Sequence, residues 1–238
     1  MSTLVENVAK VTAAHAALKE AIAAKGVAVP DGTKLSGMAS LVEQIETTPM
    51  PNYPRASFSG DDAKSIVVPK LLVVDLINAS NLRNFFNSCA SLTSVTLPDG
   101  FGQNATSVDS FFYSCSKLTS VNLPVGFGQK AQTIVSTFNG CTSLTSVTLP
   151  DGFGQNATNT TGLFHNCTSL TTITGNPRFK VSLNLSACTQ LTHDSLMVVI
   201  NGLQTVTTAQ TLTLGTANLA KLTEDEKKVA TDKGWALA

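Results

Sequence analysis

A chain of 238 residues, 42% hydrophobic and only 13% charged, has the composition of one or two folded domains and not of a disordered tail. Its 16 basic and 16 acidic residues cancel and no basic stripe stands out, which argues against a nucleic-acid partner. No apolar run approaches the roughly 18 residues that cross a bilayer, so membrane insertion is not expected.

The start of the chain lacks the basic stretch and apolar core of a secretory signal. Thr3 to Glu6 has the form of a capping box, with Thr3 at the cap and Glu6 reaching back. Leu4, Val8, Val11, His15, Leu18 and Ile22 then recur in steps of four and three, predicting a helix with one apolar seam that stops near Gly26. A turn at Val27 to Gly32 leads to a second helix, capped by Thr33, with Leu35, Met38, Val42 and Ile45 on one face. This helical N-terminal module, residues 1–48, fits a hairpin closing on itself or an oligomerising stem that would make the chain a homo-oligomer. Pro49, Pro51 and Pro54 mark a stiff linker over residues 49–64.

Beyond the linker one phrase is repeated. Cys89, Cys115, Cys141 and Cys167 are equally spaced, and Phe86, Phe112, Phe138 and Phe164 keep the same interval, as do Leu92, Leu118, Leu144 and Leu170. A period of this size predicts a solenoid, because each unit can bury its apolar face only against its neighbours. Within a unit, Val95-Thr96-Leu97 alternates as a strand does, with Val and Leu inward and Thr outward. Pro98 and Gly100 then turn the chain. Ser65 to Pro69 is a degenerate copy of Ser94 to Pro98, as expected of a terminal unit, and Leu71 to Val74 are placed to close the core at that end. After Cys167 the interval shortens, so that Cys188 and Leu191 arrive early.

The run F-x-x-C-x-S-L-T-S-V-T-L-P resembles the bacterial BspA-like class of leucine-rich repeats over Ser65 to Leu191. It departs from the general leucine-rich pattern in having Pro98, Pro124 and Pro150 directly after the strand, and in its Gly-Phe-Gly-Gln insert. The resemblance implies an α/β repeat fold: a leucine-rich-repeat solenoid over residues 65–191, with the helical N-terminal module before it and an α/β C-terminal cap, residues 192–238, after it. In the cap, Thr192 is placed to start a helix carrying Leu196, Val199, Ile200 and Leu203, Thr211 to Leu214 form a strand, and Thr223 to Glu226 form a capping box for a last helix ending by Gly234. This ending resembles the C-terminal caps of leucine-rich proteins in Firmicutes and their phages, and Lys25 to Leu35 resembles N-terminal segments of tail-associated phage proteins.

Nothing in the sequence reads as catalytic. His193-Asp194-Ser195 contains the residue types of a hydrolase triad, but consecutive residues at a helix start diverge, and helix capping explains them. The histidines are scattered and the cysteines lie a full repeat apart, so no metal or other cofactor is expected. Five cysteines in register with Phe and Leu read as buried thiols. The repeated Gly-x-Gly is a turn, since a phosphate loop would occur once and open a helix.

Two surfaces remain as partner-binding candidates. One is the outward face of the strands: Ser94, Thr96, Ser120, Asn122, Ser146, Thr148, Thr172 and Thr174, small and uncharged, suited to a glycan or a protein. The other is a variable edge at Phe85, Asn87, Phe111, Tyr113, Thr137, Asn139, Leu163 and His165, where residues change within a constant frame and where Phe111 and Tyr113 are offered as contact aromatics. The expectation is a non-enzymatic adhesion module: a phage or prophage tail-associated receptor-binding protein recognising a cell-surface glycan or protein, which reaches the outside by lysis and needs no signal. The alternative is a bacterial BspA-like surface protein mediating host or cell–cell interaction.

Overall fold

The computed structural model describes residues 79–238, the strand Ser65–Val67 and the helical position Glu20. The chain divides into two units, Met1–Ala56 and Ser57–Ala238, and all described residues except Glu20 lie in the second. The predicted helical hairpin or stem with its capping box and His15, the Pro-rich linker and the closing residues Leu71 to Val74 lie outside the described residues.

Each repeat forms one coil carrying a single short strand. Strand β1 (Ser65–Val67) pairs parallel with β2 (Ser94–Thr96), Ile66 opposite Val95, in the register implied by the degenerate copy. Strands β3 (Ser120–Asn122), β4 (Ser146–Leu149) and β5 (Thr172–Gly175) form a second parallel sheet, with Val121, Val147 and Ile173 in one inward row. Just before these strands a threonine ladder ties coil to coil. The hydroxyls of Thr119, Thr145 and Thr171 donate to the carbonyls of Thr93, Thr119 and Thr145 at 3.1, 2.9 and 3.0 Å.

The core is built by stacking a residue on its own copy. Phe86, Phe112, Phe138 and Phe164 form a column with ring centroids 5.2, 5.7 and 5.3 Å apart and nearly parallel planes. Beside it the cysteines are buried. The thiols of Cys115, Cys141 and Cys167 each donate to a phenylalanine carbonyl of the preceding coil at 3.0 to 3.1 Å. Burial pushes the Cys141 thiol up to about 12, so it stays protonated and inert at neutral pH. The Gly-Phe-Gly-Gln insert is more than a turn. Phe101, Phe127 and Phe153 are buried as a second aromatic column. Gly128 (φ 69°) is required twice over: a Cβ there would also lie 2.7 Å from the Phe153 ring of the next coil.

Opposite the strands, the coils are joined by a second ladder of regular form. The N–H groups of Leu82, Asn84, Phe86 and Ser88 donate to the carbonyls of Ser107, Asp109, Phe111 and Tyr113 at 2.7 to 3.0 Å. The same four bonds recur from Val108, Ser110, Phe112 and Ser114, and again from Ile134, Ser136, Phe138 and Gly140. At the fourth seam, between the coil of Cys167 and that of Cys188, this ladder stops. Among the described residues, the N–H groups of Thr160, Gly162, Phe164 and Asn166 make no hydrogen bond. Instead the hydroxyl of Thr160, which stands where Leu82, Val108 and Ile134 stand in earlier coils, donates to the Ser182 carbonyl. The thiol bond from Cys188 to the Phe164 carbonyl lengthens to 3.5 Å.

The cap begins there. Strand β6 (Leu183–Asn184) pairs with β7 (Gln210–Thr213), and β7 with β8 (Trp235–Leu237), all parallel. Helix α1 (His193–Gly202) takes the place of a further strand. Its Ser195 hydroxyl accepts from the Ile173 N–H at 3.0 Å, and Leu196, Val199 and Ile200 are buried. Helix α2 (Gly215–Leu219) is short, and α3 (Glu224–Thr231) starts with a complete capping box formed by Thr223 and Glu226.

Candidate functional site

The strand-face candidates are brought together by register. Ser120, Ser146 and Thr172 form one row across the second sheet, and Asn122, Thr148 and Thr174 another. The Thr174 hydroxyl donates to that of Thr148 at 3.1 Å, so part of this face is already engaged with itself. Ser94 and Thr96 lie on the separate two-stranded sheet with β1.

The variable edge separates into two columns with opposite fates. Phe85, Phe111, Thr137 and Leu163 are buried, which corrects the expectation that Phe111 is a contact residue: it is 0% exposed. The reason is packing. The Phe111 ring stacks on Phe85 at 5.5 Å and meets Phe112 edge-on at 4.7 Å, filling space between the two aromatic columns. Thr137 fits the same column because its hydroxyl bonds the carbonyls of Val108 and Ile134 at 3.2 and 2.9 Å. Asn87, Tyr113, Asn139 and His165 instead point outward, Tyr113 being 37% exposed.

This outward column runs into a cavity of about 470 Å³ at the fourth seam. On the repeat side it is lined by Ser136, Asn139, Thr160, Thr161, Gly162 and His165, and on the cap side by Ser182, Leu183, Asn184, Ala187, Thr211 and Thr213. No Lys, Arg, Asp, Glu or Cys lines it. Its origin is local. In the column Asn84, Ser110, Ser136, Gly162, each residue has a left-handed φ, and the first three direct their N–H groups along the solenoid. Only Gly162 carries no side chain, and a Cβ there would lie 2.9 Å from the Ser136 hydroxyl. The coil that follows is shorter, Cys188 coming sooner after Cys167 than Cys167 does after Cys141, and the seam stays open.

Several polar groups in this groove are uncommitted. Among the described residues, the Gly162 N–H and the His165 ring make no hydrogen bond. Asn184 accepts from the Ser186 N–H and hydroxyl through Oδ1 at 2.9 and 2.8 Å, leaving its amide NH₂ to face outward from that pair. Sequence reasoning selected Asn139 and His165 but missed Gly162, Asn184, Thr211 and Thr213. The shortened interval before Cys188 was the available signal, since a change of coil length must open or strain one seam.

The residues of triad type serve the cap. Ser195 is buried, and its hydroxyl donates to the Thr171 carbonyl at 3.1 Å. The His193 ring lies elsewhere, bonded to Glu226 at 2.7 Å and Asp194 at 3.3 Å. The Glu226 carboxylate, followed by that of Asp194, raises the His193 pKa, while the Thr223 N–H and then His193 lower that of Glu226. Among the described residues no group of three His, Cys, Asp or Glu side chains is placed to hold a metal ion.

A family described as BspA type leucine rich repeat region matches the chain in six copies, over residues 54–181 and 108–223. No curated protein and no solved structure matches it.

Proposed function

The chain belongs to the BspA-type leucine-rich-repeat family; on that premise we propose that it is a non-catalytic binding module that attaches to a cell surface through a glycan or protein. The observation that carries this reading is the outward column Tyr113, Asn139, His165, which varies within an otherwise constant frame and leads into the groove at the fourth seam. The groove has hydrogen-bonding groups but no carboxylate or thiol, which suits recognition and offers no acid–base pair.

Within that reading the chain is a phage or prophage tail-associated receptor-binding protein, with the N-terminal module as its attachment or oligomerising segment. The resemblance of Lys25 to Leu35 and of the C-terminal segment to phage-linked proteins supports this over a bacterial surface protein. Family membership by itself supports the second reading equally, and neighbouring genes discriminate: tail and lysis genes accompany the first, an export system the second. The direct test is binding of the oligomerised full chain to whole bacterial cells. Retention on at least one host strain is expected, and no retention on any strain overturns the adhesion reading.

A further inference from the structure

We propose that the groove at the fourth seam is a saccharide site, taking a neutral pyranose and preferring one with an N-acetyl group. The inference rests on the binding-module reading and names its ligand. Three observations lead to it. First, the groove is a real concavity of about 470 Å³, within the range of clefts that take small molecules. Second, it is polar without charge. Hydroxyls of Thr161, Thr211 and Thr213 and the amide of Asn139 can each donate and accept, as sugar hydroxyls do, and Asn184 adds its NH₂ as a donor. An anionic ligand would find no cationic Lys or Arg there, and a cationic one no carboxylate.

The third observation sets the preference. In the three seams before this one, the N–H at the left-handed position donates to a carbonyl of the next coil. At Gly162 the N–H has the same place in its coil, lacks that acceptor among the described residues, and belongs to a residue lining the groove. A backbone donor in a cavity needs a strong acceptor, and an amide carbonyl is stronger than a sugar hydroxyl. The N-acetyl carbonyl supplies it, and its methyl group finds Leu183 and Ala187, the apolar members of the lining. His165, at the mouth of the outward column, offers an unbonded ring to a second sugar unit.

The test is saturation-transfer NMR on the full chain with N-acetylglucosamine, N-acetylgalactosamine, glucose, galactose and N-acetylneuraminic acid as separate probes. Transfer to the neutral sugars is expected, strongest at the acetyl methyl protons. Asn184→Ala and His165→Ala should each weaken binding about tenfold, the loss of one useful hydrogen bond. Val125→Ser, exposed and outside the groove, should leave binding unchanged, and it and His165→Ala should melt with the parent. No transfer to any neutral sugar, transfer only to the anionic one, or affinity untouched by both groove variants overturns the proposal. So does an extended peptide, selected on the full chain, whose binding disappears in Asn184→Ala, since that assigns the groove to protein. Cells bound as well by Asn184→Ala as by the parent, with no sugar transfer, would defeat the groove and spare the adhesion reading. Sugar bound with no cell bound would do the reverse.

Discussion

The repeat body and the C-terminal cap solve the same packing problem by opposite means. In the body each residue packs on its own copy: phenylalanine on phenylalanine, thiol on the preceding carbonyl, threonine hydroxyl on the preceding threonine. In the cap every contact occurs once. The Trp235 indole donates to the Gln204 carbonyl at 2.8 Å, Lys221 reaches the Leu191 carbonyl at 2.7 Å, and buried Asn218 joins the carbonyls of Cys188 and Leu214. Repetition makes a contact simple to specify but couples each coil to two others. A unique contact affects only its own neighbourhood, which is where the cap closes the open end.

The comparison is sharpened most by Phe138→Ala. Its ring stacks on both Phe112 and Phe164, so truncation opens two contacts and should cost about 3–5 kcal/mol in urea unfolding. Iodoacetamide labelling of Cys141, absent in the parent below its denaturation midpoint, should appear at lower urea in the variant. In the cap, Asn218→Ala removes two buried hydrogen bonds, to the carbonyls of Cys188 and Leu214, and should cost about 2 kcal/mol. If the cap unfolds as a separate unit, two transitions replace one, and the two regions are energetically independent. Thr223→Ala removes half of the capping box and should cost about 1 kcal/mol, read as a shift in the melting temperature.

The smallest effect is a pH dependence confined to the cap. His193 has a raised pKa in the folded chain, so its contribution is complete below 6.5 and is lost as pH rises through the raised value. Glu226 has a lowered pKa, so its contribution is present above 4.5 and is lost as pH falls through the lowered value. The α1–α3 contact is therefore strongest between about pH 4.5 and 6.5. His193→Gln should abolish the alkaline decline of cap stability in thermal melts. A decline that persists in the variant would place its origin outside this pair.

The repeat body was legible because its determinants are periodic. One spacing identifies the Phe, Cys and Leu columns, the strands and their parallel register together. The cap was legible at its helix starts, where Thr192 and Thr223 act through bonds to residues three positions away. What was not legible depends on depth or on misfit between coils. Phe111 and Tyr113 lie two positions apart and both vary, yet one is enclosed by rings from both aromatic columns and the other faces water. Periodicity cannot rank two neighbouring variable positions by burial. The aromatic at Phe101, Phe127 and Phe153 was hidden by flanking glycines that draw attention as turns. The groove was hidden because it belongs to no repeat: it arises where the full-length coil ending at Cys167 meets the shorter one ending at Cys188.

The equivalence of the first three seams has a hereditary consequence. Because the four N–H donors and four carbonyl acceptors sit at the same places in each, a gene duplication or deletion of one whole repeat joins compatible surfaces whichever coil is copied. Unequal recombination would thus lengthen or shorten the body in whole steps, leaving the groove and cap intact.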